Sequence, residues 1–287
     1  MKNFVLLKCY ILGFFMLCGC LAVAKDILTF MSYNVRRKGK DPIEHQWDNR
    51  KELVFKQILS KRPTIIGFQE VVKGKQYKDL KKGLPGYRSF GKPRSKKSKS
   101  WLQWVIMKYP RAQDECNPIF YNPKHVQLIK SETVGINPPN ILFPSWLPRI
   151  FSYGLFKDVR TQKKFCVINT HLDKDSKTIR NKQIHLILKY VTKNADDLPV
   201  IIMGDFNAPI EGNTQKILYD AHFVHAKENA ITRGPKKTRT GWKDNKLKEI
   251  DHILLKNAMA TEYEVVQNPQ GQYPSDHQPV YAKVILL

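Results

Sequence analysis

Acidic, amide and imidazole side chains recur just beyond the ends of apolar, strand-like runs in this sequence. The residues with this placement are Asn34, Glu70, His171, Asp205, Asn207, Asp276 and His277. A strand end holds the backbone rigidly while its polar side chain reaches a cleft, so these residues can share one site. Carboxylates are the ligands that Mg²⁺ prefers, and imidazole exchanges protons near neutral pH. Such a set can combine metal binding with proton transfer, although each residue alone is also consistent with a turn or a surface group.

Short motifs carry these residues in a fixed order along the chain. They are 31–35 (MSYNV), 67–71 (GFQEV), 169–172 (NTHL), 204–207 (GDFN) and 275–280 (SDHQPV). In order and approximate spacing they resemble the endonuclease/exonuclease/phosphatase superfamily, and in particular its deoxyribonuclease-like metal-dependent phosphodiesterases. The resemblance implies an α/β (α+β) four-layer sandwich, in which two mainly antiparallel β-sheets pack face to face with helices on the outside.

The resemblance also implies hydrolysis of a phosphoester with Mg²⁺, or with Mn²⁺ as the alternative ion. Glu70 is then the main metal ligand, with Asn34 and Asp276 close to it. A metal ion there neutralises phosphate charge and stabilises the departing oxygen. By the same resemblance, Asp205 and Asn207 place the attacking water and a phosphate oxygen, so Asn207 also contacts the substrate.

Two acid–histidine pairs complete the set that the resemblance implies. His277 is expected to act as the general base, with Asp251 orienting its ring. His171 is expected to donate to the phosphate or to the leaving oxygen, with Glu115 as its partner. An imidazole titrates near the working pH and therefore suits proton transfer. Loss of either carboxylate should misorient its imidazole rather than abolish binding.

Several positions depart from particular branches of the superfamily. Arg36 stands where the apurinic-endonuclease branch usually has an aspartate, which argues against repair activity. Residues 241–244 lack the Trp-Cys-Asp-Arg signature of the inositol-phosphatase branch. Residues 47–50 and 147–149 resemble a poorly characterised bacterial group within the superfamily. Arg149 is consistent with a phosphate contact and equally with an ordinary surface arginine.

The apolar pattern predicts alternating strands and helices around these motifs, as in one mixed sandwich domain. Strands are expected at 27–33, 64–69, 104–107, 118–121, 165–170, 199–203, 250–255 and 280–287, and helices at 47–60 and 176–193. The run 199–203 is wholly apolar, which is typical of a central strand covered on both sides. Residues 137–148, rich in proline and aromatic residues, favour an irregular surface loop. The remaining histidines, including His225 and His252, have no motif context and are expected to be structural or exposed.

The chain is strongly basic, with 49 Lys+Arg residues against 25 Asp+Glu residues and a formal net charge of +24. Such a charge attracts polyanions, including nucleic acid and anionic lipid surfaces. The segments 73–99 and 233–248 concentrate it and are expected to be basic loops. Each contact from such a loop to a phosphate would add salt dependence to binding. A surface that is simply rich in lysine is the alternative.

The first 24 residues have the pattern of a signal peptide. A lysine near the start precedes an apolar run, 9–23, and small residues at 22–24 form a cleavage pattern. The run is short for a transmembrane span. As alternatives, residues 17–20 resemble a lipobox with Cys20 as the lipidated residue, or the segment stays as an anchor. The mature domain is then 25–287, secreted or periplasmic, with membrane anchoring as the alternative.

Two cysteines remain in that mature domain. Cys116 and Cys166 both lie in apolar, strand-like runs. They can form one disulfide or remain two buried small side chains, and the sequence is consistent with both.

Three functions are compatible with these observations. The leading one is a secreted or envelope nuclease acting on DNA or RNA, because the phosphodiesterase motifs are joined to basic segments. The second is a sphingomyelinase-like or other lipid or small-molecule phosphoesterase, in which the aromatic run 141–147 dips into a membrane interface. The third is a non-catalytic binding module on the same scaffold, which the complete set of site residues argues against. No protein partner is indicated, so a monomer is expected.

Overall fold

The computed structural model describes residues 26–39, 41–94, 114–137, 148–195, 197–242 and 247–287. These residues form two large β-sheets, one two-stranded sheet and a set of helices on the outside. Several predicted features lie outside the described residues: the signal peptide (1–24), the strand at 104–107, and most of the loop 137–148 with its aromatic run 141–147.

The first sheet has seven strands and is mainly antiparallel. In spatial order they are β12 (Ile231–Arg233), β14 (Ala258–Val265), β15 (Val280–Leu286), β1 (Ile27–Asn34), β2 (Ile65–Gln69), β6 (Ile119–Tyr121) and β4 (Arg88–Phe90). The pairs β1–β2 and β12–β14 are parallel, and the other neighbours are antiparallel. The expected first and last strands of the chain thus lie side by side.

The second sheet has six strands. In spatial order they are β11 (Val224–His225), β13 (Asp251–Lys256), β10 (Val200–Asp205), β9 (Lys164–His171), β8 (Ile150–Asp158) and β7 (Val126–Gly135). Only the pair β9–β10 is parallel among these described strands. Every residue of β10 is buried, which confirms the central, doubly covered strand predicted from its apolar run. A short antiparallel pair, β3 (Val71–Val72) and β5 (Glu115–Cys116), stands apart.

The helices cover the outer faces of the two sheets. They are α1 (Trp47–Lys61), α2 (Lys75–Gly83), α3 (Lys177–Ala195) and α4 (Gly212–Asp220). The predicted helices 47–60 and 176–193 correspond closely to α1 and α3. Helix α1 turns Trp47, Val54 and Ile58 inward at helical spacing and ends where Arg62 takes a left-handed φ of 45°. Leu59 points away from that stripe and is 45% exposed.

Apolar side chains form three layers of core. Between the sheets, the rings of Phe30 on β1 and Phe165 on β9 meet edge to face at 6.2 Å. Ile58 of α1 packs on the outer side of the first sheet, and Ile187 of α3 packs on the outer side of the second. The order helix, sheet, sheet, helix confirms the four-layer α/β sandwich with mainly antiparallel sheets.

Each large sheet has a parallel pair near its centre, and this places the site. In the β1–β2 pair Asn34 aligns with Gln69, and in the β9–β10 pair Asp205 aligns with His171. Strand β1 contacts β10 across the core, and β2 contacts β9. Since parallel strands end at the same edge, the carboxyl ends of four strands meet at one edge of the sandwich.

The expectation that 73–99 is a loop is wrong over much of its length. Residues Lys75–Gly83 form α2, and Arg88–Phe90 form β4. Helix α2 was missed because its buried side is narrow, with only Gln76 and Leu80 buried, while its lysines face outward. Arg94 is 3% exposed and therefore not a surface residue. In 233–248 the described part is largely irregular, although Thr238 is fully buried.

Cys116 and Cys166 are both buried free thiols. Of the two alternatives given by the sequence, a disulfide is therefore excluded and two separate buried side chains are found. Burial raises the pKa of the Cys116 thiol to about 12 and that of Cys166 to about 11. Both side chains therefore behave as small apolar groups of the core. Among the described residues, no helix has the length and hydropathy that a membrane span requires.

Candidate active site

The predicted site residues lie around Asp205, at the end of β10. Its Oδ2 accepts a hydrogen bond from Asn34 Nδ2 at 2.9 Å. The same oxygen lies 3.6 Å from His171 Nε2 and 3.9 Å from His277 Nε2. Burial raises the pKa of Asp205 above its ordinary value despite the positive charge of His171. Asp205 Oδ2 therefore faces the imidazoles of both predicted catalytic histidines, His171 and His277.

Gly204 allows β10 to bring Asp205 to this position. Its φ is 154°, and a Cβ there would lie 2.0 Å from the carbonyl oxygen of Thr170 on the neighbouring strand. Only glycine fits so close to that backbone. The glycine of the GDFN motif is therefore explained by the contact between β9 and β10.

Glu70 follows β2 in a left-handed conformation, with φ 60°. Its Oε2 accepts a hydrogen bond from the backbone N–H of Arg37 at 3.1 Å, and its Oε1 accepts one from Asn34 Nδ2 at 3.4 Å. Burial raises the pKa of the Glu70 carboxyl, but the positive charges of His171 and Arg36 outweigh burial and hold that pKa well below its usual range. An ionised carboxylate at this place suits a divalent cation.

Asp276 offers a second oxygen that could hold such a cation. It is 5% exposed, and its Oδ1 has no hydrogen-bond partner among the described residues. A buried carboxylate oxygen without a partner is unfavourable unless something else satisfies it. Glu70 and Asp276 line the same cavity, so together they fit a divalent metal ion.

Asn34 stands between Glu70 and Asp205. Its Oδ1 accepts a hydrogen bond from the backbone N–H of Arg36 at 3.0 Å, while its Nδ2 donates to the two carboxylates. In this arrangement Asn34 holds Glu70 and Asp205 in register. Its predicted role as a metal ligand stays a prediction.

The pair Asp251 and His277 is tightly bonded. His277 Nδ1 lies 2.8 Å from Asp251 Oδ2, and Thr238 Oγ1 donates to the same oxygen at 2.6 Å. The backbone N–H groups of Ile250 and Asp251 donate to Thr238 Oγ1, each at 3.0 Å. Burial lowers the pKa of His277, but the charge and hydrogen bond of Asp251 outweigh it and raise that pKa to about 10.

A cation could also be considered between Asp205, Asp251 and His277, whose ligand atoms lie within 4.8 Å of one another. The hydrogen bond between Asp251 Oδ2 and His277 Nδ1 occupies one atom of each residue, while Asp251 Oδ1 has no hydrogen-bond partner among the described residues. The ionised Glu70 and the partnerless oxygen of Asp276 suit Mg²⁺ better, because they offer oxygen ligands without an imidazole.

The second pair, Glu115 and His171, is looser. His171 Nδ1 lies 3.6 Å from Glu115 Oε1, beyond hydrogen-bond distance. Glu115 Oε2 instead accepts a hydrogen bond from Arg94 at 3.0 Å. Burial raises the pKa of Glu115, but the charge of Arg94 outweighs it and the pKa is lowered. The structure thus brings the predicted pair together and adds a buried arginine that the sequence did not assign to it.

Asn207 and Arg149 also reach the site. Asn207 has a left-handed φ of 54°, its N–H donates to Asp205 Oδ1 at 2.8 Å, and its Nδ2 donates to the carbonyl of Leu172 at 3.0 Å. Arg149 is 4% exposed, and its Nε has no partner among the described residues. Of the two interpretations of Arg149, an ordinary surface arginine is therefore excluded.

These side chains surround a cavity of about 380 Å³. It also contains basic residues that the sequence did not nominate: Arg36, Arg37, Arg94, Lys174, Arg239 and Lys248. Some of these were counted within the basic segments, but nothing in the sequence separates a lysine or arginine of the site from one on the surface. The position of Arg36 and Arg37, two and three residues after Asn34, is the one sequence signal that could have identified these two.

A buried amide pair behind the site joins the two sheets. Gln69 Nε2 on β2 donates to Asn169 Oδ1 on β9 at 2.6 Å, and Asn169 Nδ2 donates to the carbonyl of Phe68 at 2.8 Å. A Cβ at Gly67 would lie 2.7 Å from the Asn169 side chain. These contacts explain three further motif residues as supports of the strand ends rather than as reacting groups.

Comparisons with known proteins agree with this geometry. The Endonuclease/Exonuclease/phosphatase family matches residues 31–277. The uncharacterized protein L388 of Acanthamoeba polyphaga mimivirus is 28% identical over 192 residues, which span 61% of this chain and 63% of that protein, less than two thirds of its length.

Solved structures have the same fold. The endonuclease/exonuclease/phosphatase from Bacteroides vulgatus has a TM-score of 0.79 at 23% identity, covering 91% of this chain and 99% of that one. The mannosyl-6-phosphatase of Bacteroides thetaiotaomicron has a TM-score of 0.75 at 23% identity, covering 90% and 100%. The chain belongs to the endonuclease/exonuclease/phosphatase family.

Proposed function

We propose that this protein is a Mg²⁺-dependent phosphodiester hydrolase with DNA or RNA as its substrate. The observation that carries the proposal is the charge of the cavity around the two acid–histidine pairs. Seven of its lining residues are lysine or arginine, against four carboxylates. Such an excess of positive charge suits a substrate that brings several negative charges to the site, as a nucleic acid backbone does.

The residues divide the chemistry as follows. His277 accepts the proton of the attacking water at Nε2, while Asp251 holds its Nδ1. As the new bond to phosphorus forms, the bond to the leaving oxygen breaks, and His171 protonates that oxygen. Bound at Glu70 and Asp276, Mg²⁺ (or Mn²⁺) would supply charge that neutralises the phosphate and lowers the pKa of nearby His277. Asn207 and Arg149 contact the phosphate oxygens.

Basic side chains outside the cavity support a polyanionic substrate. The exposed lysines of α2 are Lys75, Lys78, Lys81 and Lys82. Lys236 and Lys237 are exposed in the second basic segment. Contacts between such residues and phosphates release counterions, so binding should weaken as salt rises.

An assay of the purified mature chain, 25–287, tests this function. Plasmid DNA and RNA should be degraded with Mg²⁺ or Mn²⁺, EDTA should stop the reaction, and salt should slow it steeply. His277→Ala serves as the matched inactive control. If both nucleic acids stay intact with either ion, the nuclease proposal is wrong.

A second candidate is a phosphatase or phosphodiesterase that acts on a small molecule. The cavity volume of about 380 Å³ favours it, because small-molecule sites have this size. The structural likeness to a mannosyl-6-phosphatase points the same way. Release of inorganic phosphate from sugar phosphates, without degradation of nucleic acid, would support this candidate. Choline phosphate release from sphingomyelin vesicles would support the lipid alternative.

We propose further that the chain acts outside the cytoplasm, as a secreted or periplasmic protein. The support is the signal-like pattern of residues 1–24. N-terminal sequencing of protein from the medium and the envelope checks it. An N-terminus at Lys25 supports secretion, a lipidated Cys20 supports a lipoprotein, and a cytoplasmic chain that keeps Met1 contradicts the proposal.

A further inference from the structure

Two buried histidines lie next to each other behind the site, on β11 and β13. His225 is 5% exposed and His252 is 1% exposed. Their rings are perpendicular, and His225 Nε2 lies 3.0 Å from His252 Nδ1. The backbone N–H of Lys227 donates to His225 Nδ1 at 3.1 Å. His252 Nε2 lies 3.0 Å from the carbonyl oxygen of Ala208.

The hydrogen bonds from Lys227 through His225 and His252 to Ala208 form one series, and the groups at its two ends determine which ring nitrogens carry protons. The N–H of Lys227 can only donate, so His225 Nδ1 is the acceptor and His225 carries its proton on Nε2. That proton goes to His252 Nδ1, so His252 carries its own proton on Nε2 and donates to Ala208. Both rings are therefore neutral, and each of the four ring nitrogens has one partner.

A metal ion is the alternative reading, because His225, Glu249 and His252 place ligand atoms within 4.8 Å of one another. Coordination through His225 Nε2 would require the proton on Nδ1, where it would face the donating N–H of Lys227. Glu249 Oε1 is also paired with Lys227 Nζ. The hydrogen bonds therefore favour two neutral imidazoles over a cation.

This series of hydrogen bonds ends at Ala208, in the turn that follows β10. Ala208 comes directly after Asn207, whose left-handed backbone and N–H bond to Asp205 shape this turn. The ring of Phe206 packs edge to face on His252 at 5.4 Å. The bond from His252 to Ala208 thus holds the turn from its far side, while Asp205 and Asn207 face the cavity.

We propose that His225 and His252 are positioning residues of the active site: they fix the turn that carries Asp205 and Asn207. Around the pair lie Lys227, Glu228, Glu249, Asp251 and the ring of Tyr263. Burial lowers the pKa of both imidazoles, and for His225 the positive charge of Lys227 acts in the same direction, which agrees with neutral rings. The inference deepens the proposed function and rests on it for its kinetic test.

Two substitutions at His252 test its two hydrogen bonds separately, the one from His225 and the one to Ala208. Glutamine places its amide nitrogen where imidazole has Nε2, so His252→Gln keeps the bond to Ala208 and loses the bond from His225. Asparagine places its amide oxygen where imidazole has Nδ1, so His252→Asn keeps the bond from His225 and loses the one to Ala208. Each variant removes one hydrogen bond, which makes their stability costs comparable.

The kinetic test compares kcat and KM of these variants on the substrate that the wild type hydrolyses. His252→Asn should lower kcat by about tenfold or more with little change in KM, because a small misplacement of reacting groups is costly. His252→Gln should stay within about threefold of the wild type. If the two variants have the same kcat, the positioning role is wrong.

Two measurements do not depend on activity. Hydrogen exchange at the Asn207 amide should be faster in His252→Asn than in His252→Gln, and equal rates would contradict the proposal. In the wild-type protein, nitrogen NMR should show both rings neutral with the proton on Nε2. A charged ring or a proton on His225 Nδ1 would contradict the proposed series of hydrogen bonds, and this measurement does not require a variant that folds. These two measurements do not depend on whether nucleic acid is the substrate. Failure of the positioning role can therefore be distinguished from failure of the proposed function.

Discussion

The two acid–histidine pairs of the active site are held in different ways. Asp251 and His277 share a hydrogen bond of 2.8 Å, and Thr238 fixes the same carboxylate oxygen at 2.6 Å. Glu115 lies 3.6 Å from His171 and gives its other oxygen to Arg94 at 3.0 Å. Two pairs that look alike in the sequence therefore have different environments.

The difference indicates that Asp251 mainly orients the ring of His277, whereas Glu115 mainly balances the buried charge of Arg94. Asp251 is the first residue of β13, an interior strand of the second sheet, and directs one imidazole, so its main effect should be on the rate. Glu115 is shared between an imidazole and a buried guanidinium, and a buried arginine is costly without its carboxylate. Glu115 should therefore affect stability more than rate. Each prediction below tests this contrast.

The largest effect is expected from His277→Ala. Removal of a general base typically lowers a rate by about 10²- to 10⁴-fold, and His277 is the imidazole that is held in a defined orientation. His171→Ala should lower kcat by less, because His171 lacks a hydrogen bond of comparable length to its carboxylate. Steady-state kinetics of both variants at equal Mg²⁺ measure the difference. A His277→Ala protein with full activity would show that the base is misassigned.

Asp251→Asn should have the next largest effect. Loss of the carboxylate that orients an imidazole is expected to lower kcat by about 10- to 100-fold, with little change in KM. The imidazole that faces Asp251 can become neutral, whereas the guanidinium that faces Glu115 stays charged, so the thermal midpoint should fall less in Asp251→Asn than in Glu115→Gln. The kinetic and melting measurements are made on the same preparations. A large rise in KM with unchanged kcat would contradict the orienting role.

Glu115→Gln should reverse this pattern. Removing one partner of a buried ion pair costs about 3 kcal/mol of stability, whereas kcat should fall by only about threefold. Urea unfolding and initial rates check the two halves of this prediction. The double variant Arg94→Gln/Glu115→Gln is the control, since it removes both buried charges and should recover part of the lost stability. A Glu115→Gln protein that is stable but inactive would show that Glu115 orients His171 after all.

The sequence predicted the strands that bear the motifs because those strands are short, apolar and bounded by polar residues. It missed β7 and β14, whose exposed faces carry charges that interrupt the apolar alternation. It also missed α2, where only Gln76 and Leu80 are buried. Elements with one weakly apolar face depend on tertiary contacts for their structure, so local sequence identifies them poorly.

The same limit applies to the site. The residues at strand ends were predictable because parallel strands bring their carboxyl ends together. Arg94 and Thr238 were not, because each acts through a contact with a residue distant in the sequence. The unequal distances in the two acid–histidine pairs follow from these contacts, so the sequence alone presents the pairs as equivalent.

The smallest expected effect is a change in the pH dependence of stability, measured by urea unfolding of the metal-free protein in EDTA. Burial lowers the pKa of His277, but Asp251 outweighs it and raises that pKa from 6.5 to about 10. The protonated ring then adds stability below about pH 6.5 that is lost as pH rises towards 10. Arg94 outweighs burial at Glu115 and lowers its pKa below 4.5, so that stability is present above pH 4.5 and lost as pH falls.

The two pairs should therefore shape opposite ends of the stability profile. Asp251→Asn should flatten the loss between about pH 6.5 and 10 and leave the acid side unchanged. Glu115→Gln should flatten the loss below about pH 4.5 and leave the alkaline side unchanged. If either variant changes both sides equally, the pairs are coupled through Asp205, which lies within 4 Å of both imidazoles. The contrast between an orienting pair and a charge-balancing pair would then have to be abandoned.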